Sequence, residues 1–182
     1  MYKRQIRKSA APKKYGKVIP FPRPFKEQPD VICWLNRVEL NSGEDYNYKV
    51  RAFADKVTPS GFSAHLNTWD DDGSLPGAGM AWIAFPKNKA LVDSGCFSTT
   101  SVRRRTDPRP KTTGKVKFRR KFDKAPTVLA ALNLIDAAGN ADLRVRVNVD
   151  EVSREGFRWT LETWDDSTLY AAGAGWIALG FA

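Results

Sequence analysis

Histidine is nearly absent, with His65 alone, and cysteine is limited to Cys33 and Cys96. That scarcity excludes a disulfide framework and a four-ligand zinc site, and it leaves metallohydrolase and Ser/His chemistry without their usual parts. The two cysteines read as free thiols of a reducing compartment, with a single bridge between them left open. No apolar run approaches the roughly 20 residues of a membrane span, so no membrane insertion is expected. Met1-Tyr2-Lys3-Arg4 leads into no apolar stretch, so no secretory signal is read, and a cytoplasmic or non-classically secreted protein is favoured. No glycine-rich phosphate loop precedes a helix, and no window of about 11 residues carries a helical stripe.

What is present is 182 residues, 42% apolar and 27% charged, which suits one large globular domain or two small ones. The net charge of +10 is segregated. Residues 1–26 hold nine basic residues and no acid, and residues 103–124 hold eleven basic residues against Asp107 and Asp123. Each stretch is therefore +9 and the rest of the chain is net −8. Two basic stretches about a hundred residues apart point to a repeat.

The repeat is legible residue by residue. Gly61-Phe62 through Thr68-Trp69-Asp70-Asp71 matches Gly156-Phe157 through Thr163-Trp164-Asp165-Asp166, and Val50-Arg51 matches Val145-Arg146. Pro29, Val31, Leu35-Asn36 and Glu39 match Pro126, Val128, Leu132-Asn133 and Asp136, and Trp82-Ile83-Ala84 matches Trp176-Ile177-Ala178. Two copies, residues 1–88 and 89–182, account for the chain, the first expected to be short by about ten residues at its N-terminus.

Each copy reads as strands. Leu143, Val145, Val147 and Val149 alternate with polar residues, as do Phe157, Trp159, Leu161 and Thr163. Val128–Leu134 and Trp176–Leu179 are shorter apolar strands, with turn residues between. The fold class is all-β: two tandem small antiparallel β-sandwiches of about six strands each. A unit this small has a marginal core, so packing between copies or chains is expected, and the small residues of Gly77–Ala81 and Ala171–Gly175 mark strands pressed against a neighbour. Cys33, aligned with Ala130, reads as a core thiol.

The ordered set Phe118, Phe122, Pro126–Leu129, Leu132–Asp136, Leu143–Val145, Gly156-Phe157, Thr163–Asp165, Leu169-Tyr170 and Trp176-Ile177 resembles the H-type lectin domain, and residues 16–85 repeat it more weakly. The resemblance implies six-stranded sandwiches that trimerise, with sites for N-acetylgalactosamine or galactose at seams between units. Carried over by position, it makes Arg144 a donor and Trp164 with Tyr170 an apolar wall. Asp165 stands where some members have His, and Asp107 stands for the carboxylate a neighbour contributes. Such a set suits a sugar, whose hydroxyls need charged acceptors and donors and whose C–H face needs an aromatic. In copy 1, Lys49 replaces the Arg, Pro76 replaces the Tyr, and Lys8-Ser9-Ala10-Ala11 offers no acid. Lys49, Trp69 and Asp70 are expected to form a weak or dead site kept for assembly, since lysine lacks the guanidinium fork.

Asp70-Asp71-Asp72-Gly73 hints at a calcium loop, but Ala81 stands where the closing Glu belongs, and a solvated turn is the better reading. Adjacent acids on a strand face opposite ways, so paired Asp residues do not make a glycosidase site. The expectation is a lectin, not an enzyme, with no cofactor and no metal, working by multivalency. The alternatives are a trimerising brick of a larger assembly, and anionic-polymer or nucleic-acid binding through Arg103-Arg104-Arg105 and Lys117–Lys121, the last disfavoured because stacking aromatics are not interleaved. The charge segregation suggests a homotrimer of six lectin units in two stacked layers, each basic edge against an acidic neighbour and Asp107 meeting Arg144 of the next chain.

Overall fold

The computed structural model describes residues 5–7, 14–41, 46–70 and 75–181. Copy 1 contributes β1 (Gln5–Arg7), β2 (Lys14–Pro20), β3 (Pro29–Glu39), β4 (Asn47–Thr58), β5 (Gly61–Asn67) and β6 (Gly77–Pro86). Copy 2 contributes β7 (Val92–Ser98), β8 (Lys111–Lys117), β9 (Thr127–Ala138), β10 (Arg146–Asp150), β11 (Gly156–Glu162) and β12 (Leu169–Leu179). Among the described residues a single 3₁₀ turn, Thr99–Ser101, follows β7, and no helix is long and apolar enough to cross a membrane.

Each copy is a two-layer antiparallel sandwich, β1-β6-β3 over β2-β5-β4 and β7-β12-β9 over β8-β11-β10. The alternation read in the sequence sets the layers: Phe62, Ala64 and Leu66 of β5, and Phe157, Trp159 and Leu161 of β11, are buried, and of the residues between them Ser63, His65 and Arg158 are partly exposed while Thr160 is buried as well. The cores repeat in geometry as well as sequence. Phe21 meets Phe25 edge-on at 5.0 Å and Phe62 meets Trp82 at 5.0 Å; Phe118 meets Phe122 at 5.0 Å and Phe157 meets Trp176 at 5.2 Å. The repeated Gly-Phe has a steric cause. A Cβ on Gly61 would lie 2.5 Å from the Ile19 carbonyl oxygen, and one on Gly156 would lie 2.0 Å from that of Val116.

The copies are joined edge to edge. β4 pairs antiparallel with β9, matching Asn47–Arg51 to Ala138–Leu134, and this fuses one layer from each copy into the sheet β2-β5-β4-β9-β12-β7. The chain thus lays its copies side by side in one sheet, where the sequence suggested stacked layers. β3 leans on β12: the Trp34 indole donates to the Gly175 carbonyl at 2.8 Å, and a Cβ on Gly175 would come 2.9 Å from the Cys33 carbonyl oxygen. The small residues of β12 therefore meet a neighbouring unit, as expected. Cys33 is a buried core thiol and Cys96 is exposed; both are free.

Some boundaries differ from the sequence reading. β9 and β12 run longer than the apolar runs Val128–Leu134 and Trp176–Leu179. In copy 2 the alternating stretch becomes strand only at Arg146, while the aligned stretch of copy 1 is strand from Asn47. The reason is pairing: Asn47–Val50 lie on β9, and Asp142–Val145 have no strand beside them. β1 pairs with β6 as β7 does with β12, over three residues against seven.

Candidate functional site

The Trp-Asp pairs that follow β5 and β11 share an unusual backbone. Asp70 has φ 59° and Asp165 has φ 53°, left-handed values that Asp tolerates better than most residues. In each copy the Asp carboxylate comes onto the cation of the preceding strand segment. Asp70 Oδ2 lies 2.8 Å from Lys49 Nζ, and Asp165 Oδ2 lies 3.5 Å from Arg144 Nε. The two cations differ in surroundings.

Arg144 sits at an open loop end. Its guanidinium also contacts Asp166 and, at 3.0 Å, Asp142, and its side chain is 24% exposed. Its amide donates to Ser167 Oγ at 3.1 Å, and its carbonyl accepts from Thr163 Oγ1 at 2.5 Å. Beside this network Trp164 is 43% exposed, its ring covered on one side by the Arg146 guanidinium at 5.5 Å. Glu162 holds Arg146 at 2.6 Å. Three carboxylates, a guanidinium fork and an open indole face offer what a sugar requires, provided the ligand replaces some of the internal ion pairs.

Lys49 is buried in the seam between copies, opposite Asp136 on β9, which is also buried. Arg105 closes over them. It donates Nε and Nη2 to the Asp136 carboxylate, approaches Asp70 at 4.0 Å, and lies 5.7 Å above the Tyr170 ring. Burial raises the Asp136 carboxyl above the ordinary carboxylate range, against the opposing pull of Arg105 and Lys49. Arg103, buried, fastens the loop that carries Arg105: it donates to Thr112 Oγ1 at 2.9 Å and to the carbonyls of Asp107, Leu169 and Tyr170 at 3.0, 2.8 and 2.9 Å. Burial lowers its pKa.

The structure thus brings Arg144 and Asp165 together, and likewise Lys49 and Asp70. It sets Tyr170 against Arg105 at the seam, and it pairs Asp107 with Arg109 at 2.7 Å. Residues 8–11 and 71–74 lie outside the described residues. Arg103, Arg105 and Asp136 are not among the sugar-site residues that the sequence picks out. The signal for Asp136 was an acid inside an otherwise apolar strand; the two arginines were hidden in a run that looked like a phosphate-binding patch. Part of that basic run faces copy 1, since Arg119 bridges Asp93 at 2.5 Å and Asp30 at 2.7 Å.

The family model of the H-type lectin domain matches the chain twice, over residues 17–85 and 113–179. The chain belongs to the H-type lectin domain family, with two domains in tandem, and so to a class of carbohydrate-binding proteins. A search of curated proteins finds no match. Two solved structures of discoidin II from Dictyostelium discoideum, one recombinant and one described as wild-type, are similar at 18% identity with TM-scores of 0.45 and 0.44. The alignments cover 95% and 96% of this chain and 80% of each of those. Likeness of that degree carries no inference for this chain.

Proposed function

We propose that the protein is a lectin for N-acetylgalactosamine- or galactose-type glycans, acting without catalysis through the site of copy 2. Arg144 donates to the sugar hydroxyls, Asp165 accepts, Trp164 covers the C–H face, and a neighbouring chain's Asp107 completes the acceptor set, while Tyr170 lies under Arg105 at the seam and takes no part. One observation carries the choice of copy 2: its cation and tryptophan are open to solvent, while Lys49 is 1% exposed and held between Asp70 and Asp136. Copy 1, residues 1–88, then serves assembly, with Lys49, Trp69 and Asp70 contributing little to binding, and residues 89–182 carry recognition. Calorimetric titration with N-acetylgalactosamine tests this. Binding lost in Arg144→Ala and Trp164→Ala but kept in Lys49→Met supports it; absence of binding to any galactose-type sugar at millimolar concentration removes it.

A homotrimer of six lectin units supplies the multivalency. The edges of β3 and β10, each without a second paired strand among the described residues, favour chain association. β3 is the aligned counterpart of β9, and Asp142–Val145 with β10 is the counterpart of β4. Val38, 39% exposed on the β3 edge, gives such an association apolar surface to bury. Light scattering at about three times 20.4 kDa for the native chain, falling to 20.4 kDa in Val38→Lys, is the expected result.

A further inference from the structure

The turn between the copies builds a second charged site. Lys89 N donates to the Pro86 carbonyl at 2.9 Å, Val92 N to that of Lys89 at 3.3 Å, and Gly180 N to that of Leu91 at 2.8 Å, so the segment is tied to itself and to the end of β12. Leu91 adopts a left-handed φ of 61°. Against this turn stands the loop after β8, anchored by buried Phe122, whose amide donates to the Arg154 carbonyl at 2.9 Å. Between them lies a cleft of about 240 Å³.

Five cations line it: Lys87, Lys89, Arg119, Arg120 and Lys121. Arg119 is engaged by Asp93 and Asp30, and Lys121 by Glu155 at 2.6 Å. Lys87, Lys89 and Arg120 have no ion-pair partner among the described residues, Arg120 reaching only Asn88 Oδ1 at 3.4 Å. Asp123 is the acid on the wall that remains to oppose them, because Asp93 is already spent on Arg119. Lys26 and Glu27 line the adjoining cleft with Pro86–Ala90 and together add no net charge. An uncompensated positive excess within a walled cleft is repulsive in the free protein and is relieved by an anion.

We propose that this inter-copy cleft binds a sulfated glycan. Lysine ammoniums and a guanidinium suit tetrahedral oxyanions. Leu91, 37% exposed on the cleft wall, offers apolar surface for the C–H face of a sugar ring. Its walls expose no aromatic ring on which a base could stack, so a nucleic acid would have only its phosphates to offer. The site lies at the end of β10 and β11 opposite to Arg144 and Trp164, since Phe122 is tied to the hairpin turn at Arg154. It is independent of the neutral-sugar site.

Titration of the full chain with a heparin hexasaccharide tests it. Three neutralised cations release about three counterions, so affinity falls roughly 40-fold between about 50 and 200 mM salt. The variant Lys87→Gln/Lys89→Gln/Arg120→Gln loses at least roughly 30-fold at low salt and most of the salt dependence, with the melting temperature not lowered and N-acetylgalactosamine binding unchanged. No hexasaccharide binding at low salt overturns the proposal, as does a triple variant within about threefold of the native chain. Equal or tighter binding of single-stranded DNA of matched charge overturns the assignment to sulfated glycan. Arg144→Ala, which removes neutral-sugar binding, leaves hexasaccharide binding intact; hexasaccharide binding without neutral-sugar binding leaves this proposal standing and removes the earlier one.

Discussion

Replacing Arg105 with Met removes the guanidinium that donates to Asp136 and lies over the Tyr170 ring. Asp136 is 2% exposed, and it then keeps only Lys49 as a nearby cation. Hydrogen bonds to a charged group contribute about 1.5–3 kcal/mol each. The Arg105 side chain is 45% exposed and Lys49 remains, so solvent screening and the residual partner bring the net loss to about 2 kcal/mol. For a chain of this length that lowers the melting temperature by about 4–8 °C. The pH dependence has a definite sign. Arg105 favours ionised Asp136, so its contribution is present above the folded pKa of that carboxyl and disappears as pH falls through it. Burial has already raised that pKa above the ordinary value, which moves the loss upward in pH. Scanning calorimetry therefore finds a larger deficit near about pH 7.5 than near about pH 4. Arg109→Met is the control, because Arg109 and Asp107 are 62% and 52% exposed; its cost is about 0.5 kcal/mol or less. A shift under about 1 °C for Arg105→Met, or one independent of pH, refutes the reasoning.

Three further outcomes are expected. Trp164→Ala changes stability by less than about 1 kcal/mol, because the indole is 43% exposed, yet it abolishes galactose-type binding in a glycan array. Gly175→Ala costs about 1–3 kcal/mol, because the added methyl would lie 2.9 Å from the Cys33 carbonyl oxygen; the displaced Trp34 indole loses its bond to residue 175, which fluorescence detects. Iodoacetamide modifies exposed Cys96 first and reaches Cys33 only on unfolding, since burial pushes the Cys33 thiol far above its ordinary pKa; mass spectrometry of the native protein separates the two.

Much of this protein is local and repetitive, and local patterns can be read from one dimension. Alternating residues such as Phe62, Ala64 and Leu66 can bury one face only as strands, and the repeated Gly-Phe and Trp-Asp pairs carry the same close approach and the same left-handed turn in both copies. Repetition at a nearly constant offset therefore determined the all-β class, the two copies and the positions of Lys49 and Arg144. It could not determine what each copy's edge meets. β4 and β10 descend from the same pattern, yet β4 gains four residues of strand, Asn47–Val50, by pairing with β9, and Asp142–Val145 gain none. Strand formation at an edge depends on a partner supplied by the rest of the fold. The same holds for charge. Arg103, Arg105 and Arg119 are alike in a basic run, but the fold buries the first as a fastener, lays the second over Asp136 and spans Asp93 and Asp30 with the third. Sequence counts charges, while the energy of each depends on its burial and on distances of a few ångströms to its partner, and only the tertiary structure decides those.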